Sequence, residues 1–245
     1  MKALASDFDG TLFFLEEGGF REDDLKAIKK FQKEGHLFGI CTGRPLEGIT
    51  ALTKDIIDFD YYIVSSGAMI LDKNYRVLYK NCMSRDIMTD IYNHYKDEVN
   101  VFIQANHSVY AFDVTEMDLP QIHISSLDEI EGDNIFGVSI NAINEENAHR
   151  ICQEIKRLFD VDAFQNKEFI DVVPKNCSKG LAIQKAKELL NINIIAGIGD
   201  NYNDLPMLEM ADYSFTFHES PNLVKEKANS IVSSVKEAIQ ELSLL

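Results

Sequence analysis

Three short apolar runs, residues 3–8, 37–41 and 61–64, are separated by stretches with helical spacing. Short apolar runs closed by turn residues read as buried strands. Strand, helix, strand, helix, strand in that order requires parallel pairing through right-handed crossovers. The first intervening stretch begins with Glu22, Asp23 and Asp24, whose charge suits the start of a helix. Leu25, Ile28 and Phe31 follow on one face, and Gly35 ends it. A shorter helix is expected over 46–57. The alternation resumes after Pro174. Ser178 is placed to cap a helix through residue 190, followed by a strand at 194–198, short strands at 214–217 and 230–232, and a closing helix at 235–242.

Between these halves the pattern changes. Residues 70–71 and 77–79 flank Asp72-Lys73-Asn74 as a hairpin, and residues 101–104 and 109–112 flank Asn106-His107 as another. Ser84 is placed to cap a helix through residue 95. Residues 135–142 read as a strand. Asn144 opens a helix with Ala148, Ile151, Ile155 and Leu158 on one face, and two more strands are expected at 161–164 and 169–173. The expected fold class is α/β: a Rossmann-like doubly wound parallel sheet core over 1–80 and 175–245, carrying an inserted α+β cap over 81–174. A chain of 245 residues has room for a core domain and a smaller insert.

Formal net charge is −16. So acidic a surface repels nucleic-acid phosphates and anionic lipid, so neither is expected as a partner. An acidic protein that handles an anionic substrate must neutralise it locally. Cys41, Cys82, Cys152 and Cys177 form no CxxC pair and no metal knuckle, which suits reduced, buried thiols. The N-terminal residues lack the apolar region of a signal peptide, and no apolar run is long enough for a membrane helix. The expectation is a cytoplasmic protein, monomer or homodimer.

Ligands of an open parallel sheet bind at the carboxyl ends of its strands. Four polar clusters fall at such ends or at a helix start: Asp7-Phe8-Asp9-Gly10-Thr11, Cys41-Thr42-Gly43-Arg44, Ser178-Lys179-Gly180, and Gly199-Asp200 through Asn203-Asp204. One alone is an ordinary turn with a solvated carboxylate; four converging make a site. Crowded carboxylates raise one another's pKa unless a cation holds them. Hard oxygen donors beside a phosphate favour Mg²⁺. A carboxylate can attack phosphorus, and a second can move protons for the leaving alkoxide and for water. Lys179 at a helix start, with Thr42 and the Gly43 N–H opposite, offers donors to phosphoryl oxygens. A lysine is unfavourable at that end of a helix, so an anion is expected to compensate it. Arg44 either touches substrate or pairs with an acid.

These four clusters, in this order and spacing, resemble the motifs of the haloacid dehalogenase superfamily in its Cof-type, subclass IIB branch. The resemblance spans nearly the whole chain. It implies Asp7 as nucleophile and Asp9 as general acid/base. It implies Mg²⁺ held by Asp7, the Asp9 carbonyl and Asp200, with Asp204 standing behind them. Thr42, Gly43 and Lys179 would hold the phosphoryl group, with Asn203 touching it or ordering the site. The substrate implied is a small phosphorylated metabolite, such as a sugar phosphate. Two departures concern substrate contacts. Ser66 stands where the branch often has Asn, and the segment 13–20 is atypical.

A signalling receiver domain also phosphorylates an aspartate, but at the end of its third strand, where this chain has Ser65-Ser66. A dehalogenase needs no Mg²⁺ and neither Asp9 nor Asp200. The serious rival is a sugar phosphomutase, whose cap must grip a second phosphate. Residues 97–149 contain no Lys or Arg, and the two cap segments expected to face the site, 101–112 and 135–142, are therefore without a cation. Phe102, Gln104, Asn106, Ser139 and Asn141 alternate suitably for a neutral or hydroxyl-rich leaving group.

Overall fold

The computed structural model describes residues 1–113, 115 and 119–245. The first half runs β1 (Lys2–Ser6), a small hairpin of β2 (Phe13–Phe14) and β3 (Gly19–Phe20), α1 (Glu22–Lys33), β4 (Leu37–Cys41), α2 (Leu46–Thr53), β5 (Tyr61–Val64), β6 (Met69–Asp72) and β7 (Val77–Lys80). The middle holds α3 (Arg85–Tyr95), β8 (Asn100–Ala105), β9 (Ser108–Ala111), β10 (Gln121–His123), β11 (Ile135–Asn141), α4 (Glu145–Leu158), β12 (Val161–Asn166) and β13 (Phe169–Pro174). The chain closes with α5 (Lys179–Leu189), β14 (Ile194–Ile198), α6 (Leu205–Met210), β15 (Tyr213–Phe217), α7 (Asn222–Lys227), β16 (Ser230–Val232) and α8 (Val235–Leu244).

Eight strands form the first sheet, in the order β16-β15-β14-β1-β4-β5-β6-β7. All neighbours are parallel from β16 to β5, and β6 and β7 continue it antiparallel. The sheet is covered on both faces, which explains the unbroken apolar runs. Leu4, Phe38, Ile40 and Phe215 pack on one side with Phe31 and Ile28 of α1, while Ala3, Ala5, Tyr61 and Ile195 pack on the other with Ile183 of α5. Burying each large side chain contributes roughly 2 kcal/mol. Strand order reverses at β1, which lies between β4 and β14. That reversal opens a crevice at the strands' carboxyl ends.

The second sheet has the order β10-β9-β8-β11-β13-β12 and is antiparallel except where β10 joins β9. One of its faces packs on α3 and α4 through Ile91, Tyr95, Ile151 and Ile155. The Ser84, Asn144 and Ser178 caps are present, each accepting a backbone N–H from three residues on. The structure departs from expectation in β10, α2, α6 and α7. Strand β10 and helices α6 and α7 carry too few residues to show a period, and α2 stops at Thr53, followed by Asp55 in the left-handed region at φ 62°. Among the described residues, no helix is long and apolar enough to cross a membrane.

Candidate active site

β1, β4 and β14 deliver their terminal residues to the crevice side by side. The β1 ladder continues through Asp7, whose N–H donates to Ile198 O at 2.9 Å. Phe8 turns into the core, and its carbonyl accepts from Thr11, Leu12 and Phe13, closing the turn. Gly10 sits at φ 82°, and a Cβ there would lie 2.9 Å from Asp200 Oδ2, so only glycine fits. Thr11 Oγ1 donates to Asp200 Oδ1 at 2.9 Å and ties the β1 turn to the β14 turn.

The centre is a buried charge network. Lys179, first residue of α5 and 2% exposed, donates from Nζ to Asp7 Oδ1 and to Asp204 Oδ1, both at 2.6 Å. This is the anionic compensation that a lysine at a helix start requires. Asp204 is fully buried, and its Oδ2 accepts from the N–H groups of Asp200 and Asn201 at 3.0 and 3.1 Å. Asp7, Asp200 and Asp204 each place a carboxylate oxygen within 4.8 Å of the others. Burial, then Asp204, raises the Asp7 carboxyl well above its usual range. The same two causes push Asp200 up to about 6. Burial lowers the Lys179 ammonium's affinity for its proton, but Asp204 and Asp7 outweigh it, and Lys179 stays charged. Three clustered carboxylates thus have one ammonium among them, which hydrogen-bonds Asp7 and Asp204. Hard oxygen donors with unmet negative charge fit a small divalent cation such as Mg²⁺.

Asp9 points the other way. It is exposed, and Arg44 grips it with both prongs, Nε to Oδ2 at 2.8 Å and a terminal nitrogen to Oδ1 at 2.7 Å. Arg44 thus pairs with an acid while still lining the cavity. Thr42 Oγ1 accepts from Arg44 N at 3.1 Å. Thr42 O accepts from Ser66 N, and Arg44 O from Ser65 N, which stitches the β4 loop to the β5 loop. Asn203 is buried and lines the cavity beside Asp200. Burial raises the thiols of Cys41 and Cys177, the latter to about 12, so both are inert packing groups.

These groups floor a cavity of about 700 Å³ whose far wall is the second sheet. Phe102, Gln104 and Ser139 reach it. Asn106 and Asn141 do not: Asn106 donates to Glu131 O, in the segment leading to β11, and Asn141 accepts from Ile143 N within its own turn. His123 is exposed, and His107 lies partly buried beside Phe136. The expectation of a wall without a cation is corrected. The β12–β13 hairpin lines the cavity as well, and it brings Lys167, together with Asn166, Glu168 and Asp171. Asp171 is the residue that motif reasoning missed. Its signal was the alternation Phe169-Ile170-Asp171-Val172-Val173, in which Ile170 and Val172 face the helices and leave the acid on the other side. Burial raises its carboxyl, and a hydrogen bond from Ser66 opposes that.

The family model of haloacid dehalogenase-like hydrolases matches residues 4–239. A protein of Mycoplasma capricolum is 30% identical, covering 96% of this chain and 98% of its own. The 5-amino-6-(5-phospho-D-ribitylamino)uracil phosphatase of Bacillus subtilis is 26% identical over 97% of this chain and 94% of its own. A solved subclass IIB sugar phosphatase superposes with a TM-score of 0.84 at 20% identity, covering both chains completely, which is a likeness of fold. With nearly its whole length matched, the chain belongs to the haloacid dehalogenase-like hydrolase family.

Proposed function

We propose that the chain is a Mg²⁺-dependent phosphomonoesterase that works on a small phosphorylated metabolite through an aspartyl-phosphate. The observation that carries this is the buried Asp7–Lys179–Asp204 network with Asp200 beside it, at the reversal point of a parallel sheet. Phosphatase names among relatives of similar length agree with it. Asp7, Asp200 and the Asp9 carbonyl would hold Mg²⁺, which neutralises charge on the transferring group.

Asp7 attacks phosphorus, forming an O–P bond as the ester P–O bond breaks. Asp9, released from Arg44, gives its proton to the leaving alkoxide. Water then attacks the same phosphorus, Asp9 takes its proton, and the bond to Asp7 breaks to free phosphate. Lys179 and Asp204 hold the Asp7 carboxylate in one orientation throughout. Thr42, the Gly43 N–H and Asn203 face the phosphoryl oxygens. Residues 81–174 act as a cap that encloses the leaving group. A phosphomutase would need a second phosphate grip there, and Lys167, which shares the cavity with Glu168 and Asp171, is a poor one.

The test is phosphate release from p-nitrophenyl phosphate and a panel of sugar and cofactor monophosphates, with Mg²⁺ and with a chelator. Asp7→Asn should lower turnover by at least about 10³-fold. Full Mg²⁺-dependent activity in that variant would refute the mechanism.

A further inference from the structure

Ser66 and Asp171 come from different sheets and meet beside the phosphoryl loop. Ser66, at φ 52° in the left-handed region, donates from Oγ to Asp171 Oδ2 at 2.6 Å. Such a backbone is uncommon for serine, so the loop is held by its surroundings. On the other side Asp171 lies against Gly43. A Cβ on Gly43 would be 2.5 Å from Asp171 Oδ2 and 3.2 Å from Ser66 Oγ. The absence of a side chain at position 43 is therefore what admits the carboxylate. Asp171 lies deep in the molecule yet keeps part of its surface open to the cavity.

Its neighbours define what it meets. Ser139 is its register partner on β11. Gln104 Nε2 donates to Ser139 Oγ at 2.8 Å and to Gly43 O at 3.0 Å, while Gln104 Oε1 is buried with no partner. Phe102 and Phe169 flank the group. The wall is thus rich in acceptors between two aromatic rings. A second anionic group on the substrate would meet Asp171 and Glu168 unfavourably. A hydroxyl donor satisfies them.

Resting on the phosphatase reading above, we infer that Asp171 is a specificity-determining residue, held by Ser66, whose carboxylate accepts a hydrogen bond from a hydroxyl near the ester of a polyhydroxylated leaving group. The contact makes the enzyme select polyol and sugar monophosphates over alkyl phosphates of equal length. A site built to pair with a substrate hydroxyl leaves a buried polar group unpaired when the hydroxyl is missing.

The experiment compares kcat/KM for sorbitol 6-phosphate and n-hexyl phosphate in the wild type, Asp171→Ala, Asp171→Asn and Ser66→Ala, with p-nitrophenyl phosphate run alongside. The wild type should favour the polyol ester at least about 10-fold, and Asp171→Ala should lower that ratio by about 10- to 100-fold. Asp171→Asn keeps an acceptor and should recover part of the ratio, and Ser66→Ala should fall between Asp171→Ala and the wild type. A wild-type ratio near one overturns the inference. So does an Asp171→Ala variant in which both esters fall alike, the result of a merely structural role. If p-nitrophenyl phosphate is hydrolysed in those cases, the phosphatase reading survives. If the wild type hydrolyses no monoester at all, that reading falls first.

Discussion

Lys179 is the residue on which the buried charges of this site balance. Two carboxylates face its ammonium at 2.6 Å, with almost no water in reach. Removing one partner of such a network leaves charge buried and unmatched, at a cost of about 3–5 kcal/mol. Lys179→Met should therefore lower the unfolding free energy read from urea titration by that amount and abolish turnover, and a value close to the wild type would show that the network is solvated. Asp9 belongs to a different environment, exposed and forked by Arg44. Asp9→Asn should still form phosphoenzyme from p-nitrophenyl phosphate, because its leaving group needs no proton, but should hydrolyse it slowly. Rapid-quench measurement of acid-stable phosphoenzyme distinguishes this from a variant that cannot react at all. The roles of Asp7, Asp200 and Lys179 were suggested by four spaced clusters, since strand ends and helix starts are set by local periodicity. The pairing of Arg44 with Asp9 was one of two outcomes the sequence left open, because it depends on where the β4 loop lies against the β1 turn.

Among elements, α5 has the tightest surroundings. It carries Lys179 on its first turn and packs against α6 so closely that a Cβ on Gly180 would stand 2.1 Å from Pro206 O. That neighbour is backbone and cannot swing aside. Gly180→Ala should destabilise the protein by about 1–3 kcal/mol through overpacking, read as a lowered thermal midpoint, despite alanine's better helix propensity. A stabilised variant would mean that α6 shifts freely. The core strands were legible because both faces of the first sheet are covered, so each strand reads as a continuous apolar run. The second sheet was legible in its strands but not in its site-facing residues. Period-2 alternation shows which residues share a face, yet not how far along the sheet the core reaches. Asn106 and Asn141 lie past that reach and bond to Glu131 O and Ile143 N instead, while Asp171 and Lys167 lie within it.

For the whole molecule, the crowded carboxylates should link stability to pH and, on the proposed reading, to Mg²⁺. Asp200 titrates at about 6 in the folded chain against an ordinary 3.8. The native state then holds more protons than the unfolded one between these values, so this group lowers stability as pH rises through them, by up to about 3 kcal/mol. Asp7 is raised too and acts in the same direction. Below about pH 4 the penalty is absent, and above about pH 6 it is complete. A cation that binds the ionised pair removes it. Thermal midpoints of the wild type relative to Asp200→Asn should therefore decline from about pH 4 to 7 without Mg²⁺, and Mg²⁺ should recover more at the upper end. A pH-independent difference would mean that the carboxylates are already compensated.

Among the described residues the chain passes between the two sheets twice, just after β7 and just after β13, and Asn81 binds the two passages together by donating to Lys175 O at 3.3 Å. Two adjacent passages define a single axis. A rotation about that axis would break no strand ladder in either sheet. Polar contacts at the cavity rim join the sheets, Gln104 to Gly43, Ser66 to Asp171, Ser108 to Glu47 and Asn201 to Asn166, and Phe136, Phe164 and Val173 of the second sheet pack into the apolar core of the first. Each polar contact is worth about 1 kcal/mol net. Two of these polar contacts, at Gly43 and Asp171, would adjoin the ester in the proposed reaction, so departure of product should loosen contacts that join the two sheets.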